Sequence, residues 1–176
     1  MRLFVALPIP DAVANTMFLI QSGVPGAKWQ TREQLHLTLR FIGEVDGLQA
    51  NDIDDALSAI SVPRFSLALK GVGEFGGRKP HALWAGVGDP APVHHLNRKI
   101  ETALQRIGLA ADERKFQPHV TVARLRATPP GKVMDWLTDH ALYQSAPFEA
   151  IDFALYSSTL TPNGSIYVPE RVYALG

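Results

Sequence analysis

Between Leu35 and Phe41 apolar and polar residues alternate strictly, with Leu35, Leu37, Leu39 and Phe41 facing one way and His36, Thr38 and Arg40 the other. A period of two predicts a half-buried strand with a polar working face. His119-Val120-Thr121-Val122-Ala123 alternates in the same way. Leu3 to Leu7 is a continuous apolar run closed by Pro8 and Pro10, which predicts a short buried strand, and a helix follows from about Asp11 to Gln21. Ile53, Ala56, Leu57 and Ile60 recur at helical spacing, and Pro63 ends that helix before a strand-like run from Phe65 to Val72.

The second half of the chain replays this order. Leu83 to Val87 predicts a strand, Asp89 a helix start, and Val93, Leu96, Ile100, Ala103, Leu104 and Ile107 an apolar helical stripe that Gly108 stops. After the second alternating motif come a short helix with Val133, Trp136 and Leu137, a strand from about Phe148 to Tyr156, and a final hairpin strand from Ile166 to Leu175. The interval from His36 to His119 equals that from Phe65 to Phe148, and that from Leu3 to Leu83 is only slightly shorter. This shared interval predicts an internal duplication, with halves of about 1–75 and 81–176 in a single α+β domain. Two units are too few for a solenoid, so the expectation is a pseudo-symmetric pair of sheets sharing a cleft, one motif from each half.

Composition narrows the choice of partner. Forty-six per cent of the residues are hydrophobic and 19% charged, as in an ordinary soluble globular protein. Seventeen basic and 17 acidic residues cancel, so a nucleic acid would be held through a local cluster and not along a broad basic face. The absence of cysteine excludes disulfides, thiol catalysis and thiolate zinc sites, and fits the cytoplasm. The N-terminal apolar run is too short for a signal peptide or membrane span, and no membrane association is expected.

In each motif the histidine and the threonine two residues later share one sheet face, about 7 Å apart along the strand. If the halves face each other, two imidazoles flank one group while Thr38 and Thr121 offer hydrogen bonds to its non-bridging oxygens. A phosphodiester suits such a site. One histidine takes a proton from water, the other protonates the departing alkoxide, and neither a metal nor another cofactor is called for. A single His-x-Thr strand is ordinarily just a polar face; its recurrence at equivalent places is what points to function. Arg40 falls on the catalytic face if the strand stays regular, whereas strict alternation turns Arg124 away unless a bulge at the strand end redirects it. Arg126 is assigned to the surface. Trp29, Phe75 and Phe116 lie near the motifs and are candidates for stacking on a base, with core packing the commoner role. The run Phe75 to Pro80 is a candidate cleft rim. His94 and His95 point apart on a helix and make a poor metal pair, and His81 and His140 have no motif context.

The segments Leu35-His36-Leu37-Thr38-Leu39-Arg40-Phe41-Ile42-Gly43-Glu44 and Phe116-Gln117-Pro118-His119-Val120-Thr121-Val122-Ala123-Arg124 resemble the paired H-x-T-x motifs of the 2H phosphoesterase superfamily. Within it the chain is most similar to the RNA 2′,3′-cyclic phosphodiesterases, also called 2′-5′ RNA ligases. Arg2 to Leu7, Lys28-Trp29 and Leu155-Tyr156-Ser157-Ser158 extend the resemblance over nearly the whole chain. It implies a LigT-like bilobal fold with a central cleft and outer helices, His36 as proton donor, His119 as proton acceptor, and Thr38 and Thr121 holding the phosphate, with Arg124 included by its place after the motif. The implied reaction opens a 2′,3′-cyclic phosphate at an RNA end to a 2′-phosphate, with a related ATP-independent 2′-5′ ligation. The implied partners are RNA ends or small nucleotides carrying a 2′,3′-cyclic phosphate, bound by a monomer. Two alternatives stay open: a phosphodiesterase for 2′-5′ oligoadenylates or small cyclic nucleotides, and a non-catalytic module that binds RNA ends.

Overall fold

A computed structural model describes residues 1–176. In chain order the elements are β1 (Arg2–Pro8), α1 (Asp11–Phe18), β2 (Ala27–Trp29), a 3-10 turn (Arg32–Gln34), β3 (His36–Glu44), α2 (Gly47–Ser58), β4 (Phe65–Leu67) and β5 (Leu69–Phe75). They continue with β6 (Ala82–Val87), α3 (Ala91–Arg106), β7 (Val120–Leu125), α4 (Pro130–Asp139), β8 (Phe148–Ala150), β9 (Asp152–Thr161) and β10 (Gly164–Ala174). The helical stripes bury Val13 and Met17, Ile53 and Leu57, Val93 to Leu104, and Val133 and Trp136. They join Leu37, Leu39, Val120 and Val122 in one core of 34 residues. The opposite face of β3 and β7 is left to carry the histidines and threonines. Gly108 ends α3 with φ of 97°, a conformation in which a side chain would be strained.

Seven strands form an antiparallel sheet in the order β10-β9-β1-β3-β7-β6-β5, with β2 pairing the other part of β7. The sheet is nearly two, because β3 and β7 meet only at Leu37 and Val120. One lobe is β10-β9-β1-β3 and the other β7-β6-β5 with β2. Leu37 and Val120 are separated by the same interval as the two histidines, and so are Ser66 and Glu149, the central pair of the separate β4–β8 ribbon. Phe65 pairs Ala150 and Leu67 pairs Phe148, a self-reciprocal pattern that only a two-fold relation between the halves produces. The β5–β6 register, Val72 to Ala85, Gly73 to Trp84 and Glu74 to Leu83, reappears in β9–β1 as Leu155 to Val5, Tyr156 to Phe4 and Ser157 to Leu3.

Two runs that read as single strands are each broken. Phe65 to Val72 splits at Ala68 and Phe148 to Tyr156 splits at Ile151, positions again one repeat interval apart. At each break the chain leaves the β4–β8 ribbon, and β5 crosses to β6 while β9 crosses to β1. Each half thus lends the strand after its ribbon strand to the sheet of the other, and β10 extends the second half's contribution beyond β9. A continuous apolar run is compatible with either partner, which is why periodicity alone does not reveal the break.

Both motif-bearing strands are bulged at equivalent points. Along β3, Thr38 pairs Ala6 and Arg40 pairs Val5, so Leu39 is the extra residue; along β7, Thr121 pairs Trp84 and Ala123 pairs Leu83, so Val122 is extra. A bulge places two successive residues on one side and reverses the alternation beyond it. Leu39 and Arg40 are accordingly both buried and Phe41 turns outward; Val122 and Ala123 are both buried and Arg124 turns outward. The carbonyl released by each bulge is taken by a side-chain amide: Asn97 of α3 donates to Leu39 O at 2.8 Å, and Gln21 donates to Val122 O at 3.2 Å beside the Gln30 amide at 2.9 Å. A buried carbonyl left without a donor costs roughly 1–3 kcal/mol. Asn97→Leu is expected to lower the urea midpoint by a loss of about that size at unchanged m, and Gln21→Leu to do so less, because Val122 O keeps the Gln30 amide.

Candidate active site

The two histidines are tethered identically. The His36 Nδ1 lies 2.8 Å from Gln34 O and the His119 Nδ1 2.7 Å from Gln117 O. Gln34 and Gln117 are themselves equivalent positions of the repeat. A carbonyl only accepts, so in both rings Nδ1 carries the hydrogen and Nε2 is the nitrogen left for chemistry. Thr38 Oγ1 donates to His36 Nε2 at 3.0 Å. The antiparallel sense of the Leu37–Val120 pair sets Thr38 toward His119 and Thr121 toward His36, and a cleft of about 230 Å³ is lined by Thr38, Phe41, Phe75, Phe116 and His119 among others.

Each imidazole sits against aromatic rings supplied by the neighbouring strands. Phe4 lies 4.9 Å and Tyr167 5.1 Å from His36, with Tyr156 behind at 6.3 Å; Phe75 lies 5.0 Å and Trp84 6.1 Å from His119. Tyr156 stacks on Phe4 at 5.2 Å, and its counterpart across the two-fold is Gly73, opposite Trp84. The larger indole fills the place of the missing ring, since a Cβ on Gly73 would stand 2.1 Å from it. Burial lowers the pKa of His36 to about 4, against the opposing pull of the Gln34 carbonyl and with help from the charges of Arg124 and His119. Burial also lowers His119, again opposed by its carbonyl and aided by Arg124.

Arg124 is the one cation that acts on both rings, because the bulge at Val122 returns it to the face of Thr121. Arg40 requires a correction. Strict alternation predicts it on the phosphate-binding face, but the bulge at Leu39 turns it inward, where it is 6% exposed. Its guanidinium pairs with Glu101 and donates to Phe41 O and Ala110 O. Arg40 still lines the cleft, but these donors are held by Glu101, Phe41 O and Ala110 O, so it braces the segment before β7.

Phe41 takes the place assigned to Arg40. It is the repeat equivalent of Arg124, is 43% exposed, lines the cleft and carries the Arg114 guanidinium 5.6 Å above its ring. The repeat interval, applied residue by residue, is the signal that would have found it. Phe75 and Phe116 both line the cleft, whereas Trp29 packs on Trp136 at 6.4 Å. The Gly76–Lys79 turn closes on itself through Lys79 N to Gly76 O. His94 stands edge-on to Phe116 at 5.3 Å, and His140 to Trp136 at 5.3 Å. Among the cleft carboxylates Glu101 is paired with Arg40, and Asp112 with Arg114, which holds it below the usual carboxylate range.

The family model of the 2′-5′ RNA ligase superfamily matches residues 9–160. The chain is 33% identical to the RNA 2′,3′-cyclic phosphodiesterase of Archaeoglobus fulgidus, over 98% of this chain and 99% of that one. It is 33% identical to the enzyme of the same name from Thermotoga maritima, over 95% and 91%. Among solved structures, a Thermus thermophilus protein superimposes with a TM-score of 0.83 at 23% identity, covering 99% and 97% of the two chains. Escherichia coli LigT without ligand superimposes with a TM-score of 0.77 at 24% identity, covering 99% and 96%. The LigT-like fold is thus established over the whole chain, and the protein belongs to the 2′-5′ RNA ligase superfamily.

Proposed function

We propose that the protein hydrolyses 2′,3′-cyclic phosphate ends of RNA, with His36 and His119 as the acid–base pair. The observation that supports this reading is the identical tether of the two rings, on strands paired at Leu37 and Val120, which leaves each Nε2 free of the backbone. The relatives named for this activity align with nearly the full chain.

Water attacks the cyclic phosphorus while one Nε2 removes its proton. The P–O3′ bond breaks and the departing 3′ oxygen takes a proton from the other Nε2–H, leaving a 2′-phosphomonoester. Following the resemblance, His119 is the base and His36 the acid. Thr38, Thr121 and Arg124 face the phosphate oxygens, where fixed donors and a cation stabilise the charge that grows in the transition state. A 5′-hydroxyl in place of water breaks the same bond and yields a 2′-5′ linkage without ATP. No step is assigned to a metal.

The acid must hold a proton that the free protein does not favour. With His36 lowered to about 4, the imidazolium is sparse at neutral pH, and the anionic phosphate raises it on binding. This separates the pH behaviour of free and bound enzyme. The singly protonated pair is most populated below pH 6.5, so kcat/KM is expected to peak there and fall above it, with the kcat profile displaced to higher pH; a kcat/KM maximum above neutrality overturns the assignment.

An RNA with a 2′,3′-cyclic phosphate, incubated in EDTA, should give a 2′-phosphate product, and a 3′-phosphate would refute the bond assignment. His36→Ala and His119→Ala should each lower turnover by about 10²–10⁴-fold, and full activity in both would sink the mechanism. Binding without turnover would mark a grip-only module, and faster cleavage of 2′-5′ oligoadenylates a different substrate.

Stability carries a second signature of His36. Its folded pKa of about 4 lies below the ordinary 6.5, so the unfolded chain binds the extra proton and stability falls as pH drops from 6.5 towards 4. The contribution is on the order of 3 kcal/mol. Comparing urea unfolding of the native protein and His36→Gln across this window should show the native protein losing more.

A further inference from the structure

Beside the catalytic cleft a second groove of about 570 Å³ runs along the working face of β5 and β6, walled by Pro90 and His94 at the start of α3 and by residues 115–118. Lys115, Phe116 and Gln117 line both spaces, so the groove adjoins the cleft along this segment, which leads through Pro118 to His119. Its floor is low because Gly71 and Gly86 contribute no side chains, and Trp84, which faces His119, forms its inner end. Phe116 and His94 stand edge to face at 5.3 Å on its wall.

The charge is one-sided. Lys70 and Lys115 are exposed on its rim and no carboxylate lines it, in a chain whose 17 basic and 17 acidic residues otherwise cancel. In the main cleft, by contrast, Glu101 and Asp112 answer Arg40 and Arg114. Unanswered cations beside aromatic faces suit a phosphate and its base, and the space lies within the range of nucleotide-sized sites.

We propose that this groove is a subsite for a second nucleotide of the RNA strand, with Lys70 on the phosphodiester and Phe116 on the base. The proposal rests on the cleft being the reaction site described above. It makes chain length a determinant of specificity: the mononucleotide fills only the cleft, and the next nucleotide adds its binding energy through the groove.

The test compares kcat/KM for a 2′,3′-cyclic mononucleotide with that for di- and trinucleotides ending in the same cyclic phosphate. The native protein should favour the dinucleotide by tenfold or more. Lys70→Glu should remove at least fivefold of that gain while leaving the mononucleotide within twofold, and Lys70→Arg should retain it. Equal kcat/KM for all lengths, or an equal fall for all on Lys70→Glu, overturns the subsite. If no cyclic phosphate is turned over, the proposed reaction fails separately. In that case a fluorescent trinucleotide with a 3′-phosphate is titrated: weaker binding to Lys70→Glu, with a shallower salt dependence, upholds the groove, and unchanged binding refutes it.

Discussion

Everything in this molecule turns on the single contact between Leu37 and Val120, which lies on the two-fold relation between the halves. An antiparallel pair centred on the axis sends His36-x-Thr38 one way and His119-x-Thr121 the other, with all four side chains on the face opposite the core. Because pairing stops after one residue from each strand, the lobes part beyond it and leave a cleft. A longer ladder would hold the two strands side by side and close the space between their polar faces. The β4–β8 ribbon, centred on Ser66 and Glu149, holds the axis at a second place.

The bulges at Leu39 and Val122 are the second constraint, and they depend on side chains from α3 and from the segment after α1. Inserting a residue releases a carbonyl that burial makes costly, and Asn97 and Gln21 supply the missing donors. The same insertion inverts the outward positions of each strand. Arg40 goes inward to Glu101, Phe41 comes out to the cleft, and Arg124 comes out to solvent on the histidine face. Core, amide side chains and the lining of the polar face are therefore coupled through two apolar residues.

A symmetric frame carries asymmetric side chains. Phe41 answers Arg124, and Gly73 beneath Trp84 answers Tyr156 beneath Phe4. The consequence is unequal environments for two identically tethered rings: His36 is enclosed by Phe4, Tyr156 and Tyr167, and its Nε2 already holds the Thr38 hydroxyl, whereas His119 borders the open cleft. Burial lowers the proton affinity of both rings, and the more enclosed His36 is lowered to about 4.

The sequence by itself determined the strands with strict alternation, the helical stripes, the interval at which the halves repeat, and the two histidines with their threonines, because local periodicity and spacing survive without knowledge of partners. It determined the stop at Gly108 for the same reason. Only the tertiary structure decided that the runs Phe65 to Val72 and Phe148 to Tyr156 each break and change sheets, since an apolar strand suits either neighbour. Only it decided that Arg40 is buried and Phe41 exposed: a bulge exists in the pairing of two strands, and no single strand's alternation contains it. The exchange of β5 and β9 between the lobes belongs to the same class, being a property of which strands meet.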